Sequence, residues 1–212
     1  MSTIDHAFAV GRTALIARAF RLQYATLGWM AVEALVAIAA ALMANSLALL
    51  AFGIDSVIEL ASAGVVVWRL TVELRHGQVF AERAERIASK IGGALLLGLA
   101  AYVVASAGWK LWTREGAEFT WPGLAIATLS LPVMYFLAKR KLKVAEALGS
   151  RALRADAMES ITCGWLSLMV VVALVAQAAL GAWWVDAVAS LAIVWFLVRE
   201  GREAWELRDC CD

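Results

Sequence analysis

The 212 residues are 63% apolar and 17% charged, with a net charge of +1 and a mean hydropathy of +0.76. Soluble domains run at roughly 45 to 50% apolar, so this composition describes an integral membrane protein. The balanced charge gives no footing for nucleic acid, and neither a Walker-type nucleotide loop nor a Ser-His-Asp set is present, so the chain reads as neither an ATP-driven pump nor an enzyme.

The first 21 residues lack the compact plan of a cleaved secretory signal and are read as a cytoplasmic tail or interfacial helix. Six apolar windows follow, near 24–43, 47–69, 91–112, 121–138, 155–180 and 184–199. Each is of the order needed to cross a hydrocarbon core of ~30 Å as a helix, and such continuous runs do not suit alternating barrel strands. The polar stretch 71–90 is expected to continue the second and third helices past the membrane. Residues 22–200 then form the transmembrane domain, and 201–212 a short cytoplasmic tail that cannot bury a core of its own, with no soluble domain after it. Trp29, Trp109, Trp112, Trp121, Trp183 and Trp184 fall near window ends, where an amphipathic ring prefers the headgroup level.

Lys and Arg set the orientation. Of these, 17 lie before the first window, after the sixth, or in the second-to-third and fourth-to-fifth connections, against two, Lys110 and Arg114, on the other side. That bias places both termini in the cytoplasm with an even number of spans.

Two segments about a hundred residues apart share a polar signature. Ser46/Ser150, Ala48/Ala152, Leu49/Leu153, Ala51/Ala155 and Ser56/Ser160 coincide, which aligns Asp55 with Glu159 and Glu59 with Cys163. The expected fold is therefore an all-α bundle of six transmembrane helices built as a 3+3 inverted repeat, an arrangement typical of transporters. Each aligned pair is spaced i, i+4 and shares a helix face. At 1.5 Å per residue, Glu59 and Cys163 reach similar depth, with Asp55 a turn above and Glu159 a turn below.

Asp55, Glu59, Glu159 and Cys163 are all metal-ligand types, and ionisable groups inside a bilayer are costly unless they serve a cation or proton. The competing reading is polar glue between helices. Asp156, one turn before Glu159, is a candidate auxiliary or entry ligand, or else a solvated helix-start carboxylate. Glu33, mid-window with no basic partner, is read as a proton-binding or access residue, or as a protonated carboxyl bonded to a neighbouring helix. Asn45, Ser46 and Gln177 are read as turn and interhelical hydrogen-bonding residues, and Asp186 as a helix-start cap. His6 and His76 are solitary, and Cys210-Cys211 ends the chain as a frayed pair.

The segments Asp55-Ser-Val-Ile-Glu59-Leu-Ala-Ser62, Ala155-Asp156-Ala-Met-Glu159-Ser-Ile-Thr-Cys163 and Asp186-Ala-Val-Ala-Ser-Leu-Ala-Ile resemble the cation diffusion facilitator family in a short form without its cytoplasmic C-terminal domain. The resemblance implies a homodimeric exporter of zinc or a related divalent cation by alternating access, commonly in exchange for protons, in the inner membrane if the cell is bacterial. It carries the transport ligands onto Asp55, Glu59, Glu159 and Cys163. Two positions depart from the family pattern, Glu159 for the usual His and Cys163 for the usual Asp. The thiolate favours zinc or cadmium, whereas the carboxylates also accept manganese, iron or cobalt. Gly92-Gly93, Gly98, Ala100 and Ala101 would allow a close dimer contact. Two rival readings stand beside this one: a membrane interaction or regulatory protein retaining a structural or sensing cation site, and a proton-driven exporter of organic cations using Glu33.

Overall fold

Uniformly apolar windows must satisfy every backbone group internally, and helices do so within one segment. The computed structural model describes the backbone of residues 3–76 and 78–206, and the side chains of 14–68, 70, 71, 93–150, 153, 154, 156–199, 201 and 202. Among these residues there are six helices and no strand: α1 (Thr3–Ala44), α2 (Leu47–His76), α3 (Gln78–Thr113), α4 (Trp121–Leu148), α5 (Arg151–Leu180) and α6 (Val185–Glu206). Helix α1 is continuous, so the first 21 residues are largely its N-terminal extension. The 71–90 stretch is helical up to His76 and again from Gln78. Arg208, Cys210, Cys211 and the side chains of His6, His76, Arg12, Arg69, Arg75, Arg83, Arg86, Lys90 and Arg151 lie outside the described residues, as do the surroundings of Gly92.

Among the described residues, five helices, α1 to α5, are long and apolar enough to cross a membrane, and the protein is an integral, multi-pass membrane protein. The sixth window, 184–199, falls on α6, whose contiguous described stretch is shorter than those of the other five. Asp186, Arg199 and Arg202 bracket its apolar stretch. Helix α6 nevertheless pairs with α3 along the bundle, and Asp186 finds its counter-charge within the protein.

The repeat is visible in the turns. Asn45 and Gly149, equivalent in the two aligned segments, both adopt left-handed φ, 49° and 65°, where glycine or asparagine ends a helix with little strain. The serine after each caps the next helix: Ser46 Oγ accepts from Leu49 N at 3.2 Å, and Ser150 Oγ from Leu153 N at 3.4 Å. Helix α1 accordingly packs on α2 as α4 packs on α5. Small residues close the α1–α2 seam, with Ala37, Ala40, Ala41, Ala48 and Ala51 all buried. A Cβ at Gly53 would lie 2.7 Å from Ile38 Cγ1, so only glycine permits this approach two residues before Asp55. Leu35, Leu42, Met43 and Trp112 point outward, as lipid contact requires.

Asp186 is a cap, but not of its own helix. Its carboxylate accepts Ser46 Oγ at 2.6 Å, Leu47 N at 2.7 Å and Ala48 N at 3.3 Å, which are the orphan donors at the start of α2. Lys110 Nζ lies 3.5 Å from it and also donates to the carbonyl of Asn45. Asp186→Ala would strand the buried Lys110 ammonium and two α2 amides, and is expected to cost about 3 to 5 kcal/mol. Unfolding in detergent micelles measures this, and a change within about 0.5 kcal/mol, the size of an ordinary surface substitution, would contradict the assignment.

Candidate metal centre

Helix α2 presents Asp55, Glu59 and Ser62 on one face by their i, i+4, i+7 spacing. Helix α5 brings Cys163 against them. One ligand atom from each of Asp55, Glu59 and Cys163 lies within 4.8 Å of the others, and all three residues are buried. Both carboxylate oxygens of Glu59 are buried without a hydrogen-bond partner among the described residues. A buried carboxylate left in that condition is costly, so the arrangement suits a cation: two hard oxygen donors and one sulfur converge in a dry interior.

The other two candidates lie further along α5. Glu159 is half-buried and accepts a hydrogen bond from Ser62 Oγ at 2.7 Å. It meets α2 one turn below Glu59, the depth order expected of antiparallel helices, and stands next to the three-residue cluster but not in it. Asp156 is engaged elsewhere. Its Oδ2 receives Lys141 Nζ at 2.8 Å and Gln23 Nε2 at 2.6 Å, while Lys141 also donates to Ser160 Oγ at 3.1 Å. Lys141, counted with the cytoplasmic loop by its sequence position, is fully buried because α4 continues ten residues past the apolar window.

Glu33 has partners that a search for basic residues could not find. Its Oε1 accepts Ser56 Oγ at 2.7 Å and Cys163 Sγ at 3.5 Å; its Oε2 accepts Trp29 Nε1 at 2.8 Å and Ser130 Oγ. Trp29 thus turns its indole N–H to a buried carboxylate one turn along the same helix. The one advance signal was its place four residues before Glu33, on the same face. Trp109, Trp112 and Trp121 are well exposed, as an interfacial position requires. Gln177 Nε2 donates to the carbonyl of Ala117 at 2.8 Å.

A separate open cavity of about 500 Å³ lies at the α1–α2 turn, lined by Asn45, Ser46, Tyr102, Trp109, Lys110 and Glu115 among others. It contains none of the cluster residues. Lys110, beside its wall, is already held by Asp186 and Asn45.

The family model of the cation efflux transmembrane domain matches residues 24–206, all but the ends of the chain. No curated protein matches the chain. The protein belongs to the cation efflux family, whose members transport divalent metal cations and are not enzymes.

Proposed function

We propose that this cation efflux protein exports a divalent metal cation, zinc foremost, by alternating access in exchange for protons, with Asp55, Glu59 and Cys163 as its transport centre. The observation that carries this reading is the convergence of one ligand atom each from Asp55, Glu59 and Cys163, all buried, with the Glu59 carboxylate oxygens making no geometric hydrogen bond among the described residues. Sulfur with carboxylate suits zinc or cadmium, and less well manganese, iron or cobalt. Glu159 stands on the N-terminal side of Cys163, which the Lys and Arg bias assigns to the cytoplasm, and serves as the neighbouring acceptor from which a cation reaches the centre. Asp156, held by Lys141, acts in closing that side of the bundle. Metal and protons compete for the same oxygens, and that competition couples their movements.

The working form is a homodimer joined through membrane helices. Gly98 on α3 supports this, since a side chain added there would meet nothing within 4 Å in the protomer, leaving a smooth face for a second copy.

Zinc flux into proteoliposomes under an imposed pH gradient tests the coupling. One pH unit supplies about 1.4 kcal/mol per exchanged proton, so accumulation should change by about tenfold per proton. Flux indifferent to the gradient would reject exchange. Failure to restore metal tolerance in an export-deficient cell would favour a sensing or structural role instead.

A further inference from the structure

The open cavity at the α1–α2 turn lies at the external end of the bundle, on the side that the Lys and Arg bias assigns away from the cytoplasm, and contains none of the metal-cluster residues. Its volume of about 500 Å³ is that of a small-molecule site, ~300 to 1,000 Å³. Leu42, Leu50 and Ala105 line it together with Lys110 and Glu115. Tyr102 and Trp109, 51% and 65% exposed, stand beside them with rings of the kind that settle at headgroup depth. The charges decide which headgroup fits. Lys110 Nζ donates to the Asn45 carbonyl and lies 3.5 Å from the Asp186 carboxylate, so its charge is already balanced within the protein. An ammonium has three N–H donors, which leaves one for an outside acceptor. Glu115 is exposed and pairs with no cation among the described residues, its place fixed by a backbone N–H to the Lys110 carbonyl at 3.1 Å. Arg114, next to it in sequence, lies outside the lining. The cavity therefore carries one uncompensated negative charge beside one compensated positive charge, and a zwitterion answers that pattern.

We propose that this cavity seats one phospholipid of the external leaflet whose headgroup ends in a primary ammonium, phosphatidylethanolamine being the simplest. The ammonium donates to the Glu115 carboxylate, the phosphate accepts from Lys110 and the Asn45 amide, and the chains run along Leu42 and Leu50. A choline headgroup keeps the positive charge but has no N–H to donate. A glycerol headgroup brings net negative charge to a place that already has it. The lipid bridges the α1–α2 turn and α3 beside the Asp186–Lys110 contact, which joins α2, α3 and α6. The α3 face offered to a second copy centres on Gly98, about 16 Å from Trp109 along the helix axis, so dimer and lipid use different lengths of α3.

The test loads the full chain in detergent with equal amounts of phosphatidylethanolamine, phosphatidylcholine and phosphatidylglycerol of identical acyl chains, and counts the retained lipid by native mass spectrometry. Wild-type protein should retain one phosphatidylethanolamine per protomer ahead of both others. Glu115→Gln keeps the shape and removes the charge, and should narrow the preference over phosphatidylcholine by about 3- to 5-fold, the order of one exposed charge pair. Ala105→Trp fills the cavity from an exposed position and should lower retention of all three lipids. A preference unchanged by Glu115→Gln, or a lipid count unchanged by Ala105→Trp, would overturn the proposal. Retention indifferent to headgroup would overturn it too, leaving only the lipid shell common to any membrane protein, as would a dimer holding no lipid, in which a second copy covers the groove.

Discussion

Replacing Glu59 by leucine is expected to abolish metal transport and, at the same time, to make the metal-free protein more stable. The side chain is 6% exposed, and neither carboxylate oxygen has a hydrogen-bond partner among the described residues. Burying an unsatisfied polar group costs about 1 to 3 kcal/mol, and leucine has a similar volume without that cost, so apo stability should rise by an amount of that order. Sites built for a ligand commonly carry this exchange of stability for function. Metal should reverse the ranking. A cation at 100 times its Kd stabilises the wild type by about 2.7 kcal/mol, and Glu59→Leu should have lost that response together with flux. Thermal unfolding with and without zinc, beside flux in proteoliposomes, reads both quantities. A variant that is less stable without metal, or one that keeps its zinc response, would contradict this role for Glu59.

The second large effect is expected at Lys141. Its ammonium and the Asp156 carboxylate are 0% and 1% exposed and 2.8 Å apart, with Gln23 completing the group from α1. Breaking such a pair leaves one buried charge uncompensated, and Lys141→Met is expected to cost about 3 to 5 kcal/mol. Replacing both charges at once removes the reason for the loss. The double variant Lys141→Met with Asp156→Leu should recover most of it, because well-packed apolar residues often substitute for a buried ion pair at little cost. A double-mutant cycle measures the coupling. Losses that simply add would show that the two residues do not act as a pair. The serines equivalent in the repeat sharpen the contrast between the halves: Ser56 bonds Glu33, whereas Ser160 bonds Lys141. The same helix-pair framework thus carries an anion on one side and a cation on the other.

Helix positions were legible wherever lipid alone dictates the residue. The windows at 47–69 and 155–180 meet apolar spans at Leu47–Trp68 and Asp156–Leu180, because a membrane demands apolar side chains around much of the helix. Where protein replaces lipid, the rule weakens. Helix α4 outruns its window since Lys141 is satisfied by Asp156, and α6 tolerates Asp186 since Lys110 and the α2 amides neutralise it. Within the site, the i, i+4 spacing and the repeat pointed to Asp55, Glu59, Glu159 and Cys163, with Asp156 as an auxiliary; ligand atoms of Asp55, Glu59 and Cys163 converge, while Glu159 bonds Ser62 and Asp156 pairs with Lys141. The donors around Glu33 were not legible. Serine and tryptophan carry no pattern that distinguishes a cradle from ordinary packing, and Ser130 and Cys163 lie 97 and 130 residues away from the carboxylate they bond. Asp186 was recognisable as a cap, but its target lies about 140 residues upstream.

X-ray absorption at the zinc edge of the loaded protein tests the central assignment most directly. The account predicts a coordination shell with one sulfur at about 2.3 Å and oxygens at about 2.0 to 2.2 Å, the sulfur disappearing in Cys163→Ser. A shell without sulfur in the wild-type protein, or one unchanged by that substitution, would contradict the joining of α2 and α5 at this centre.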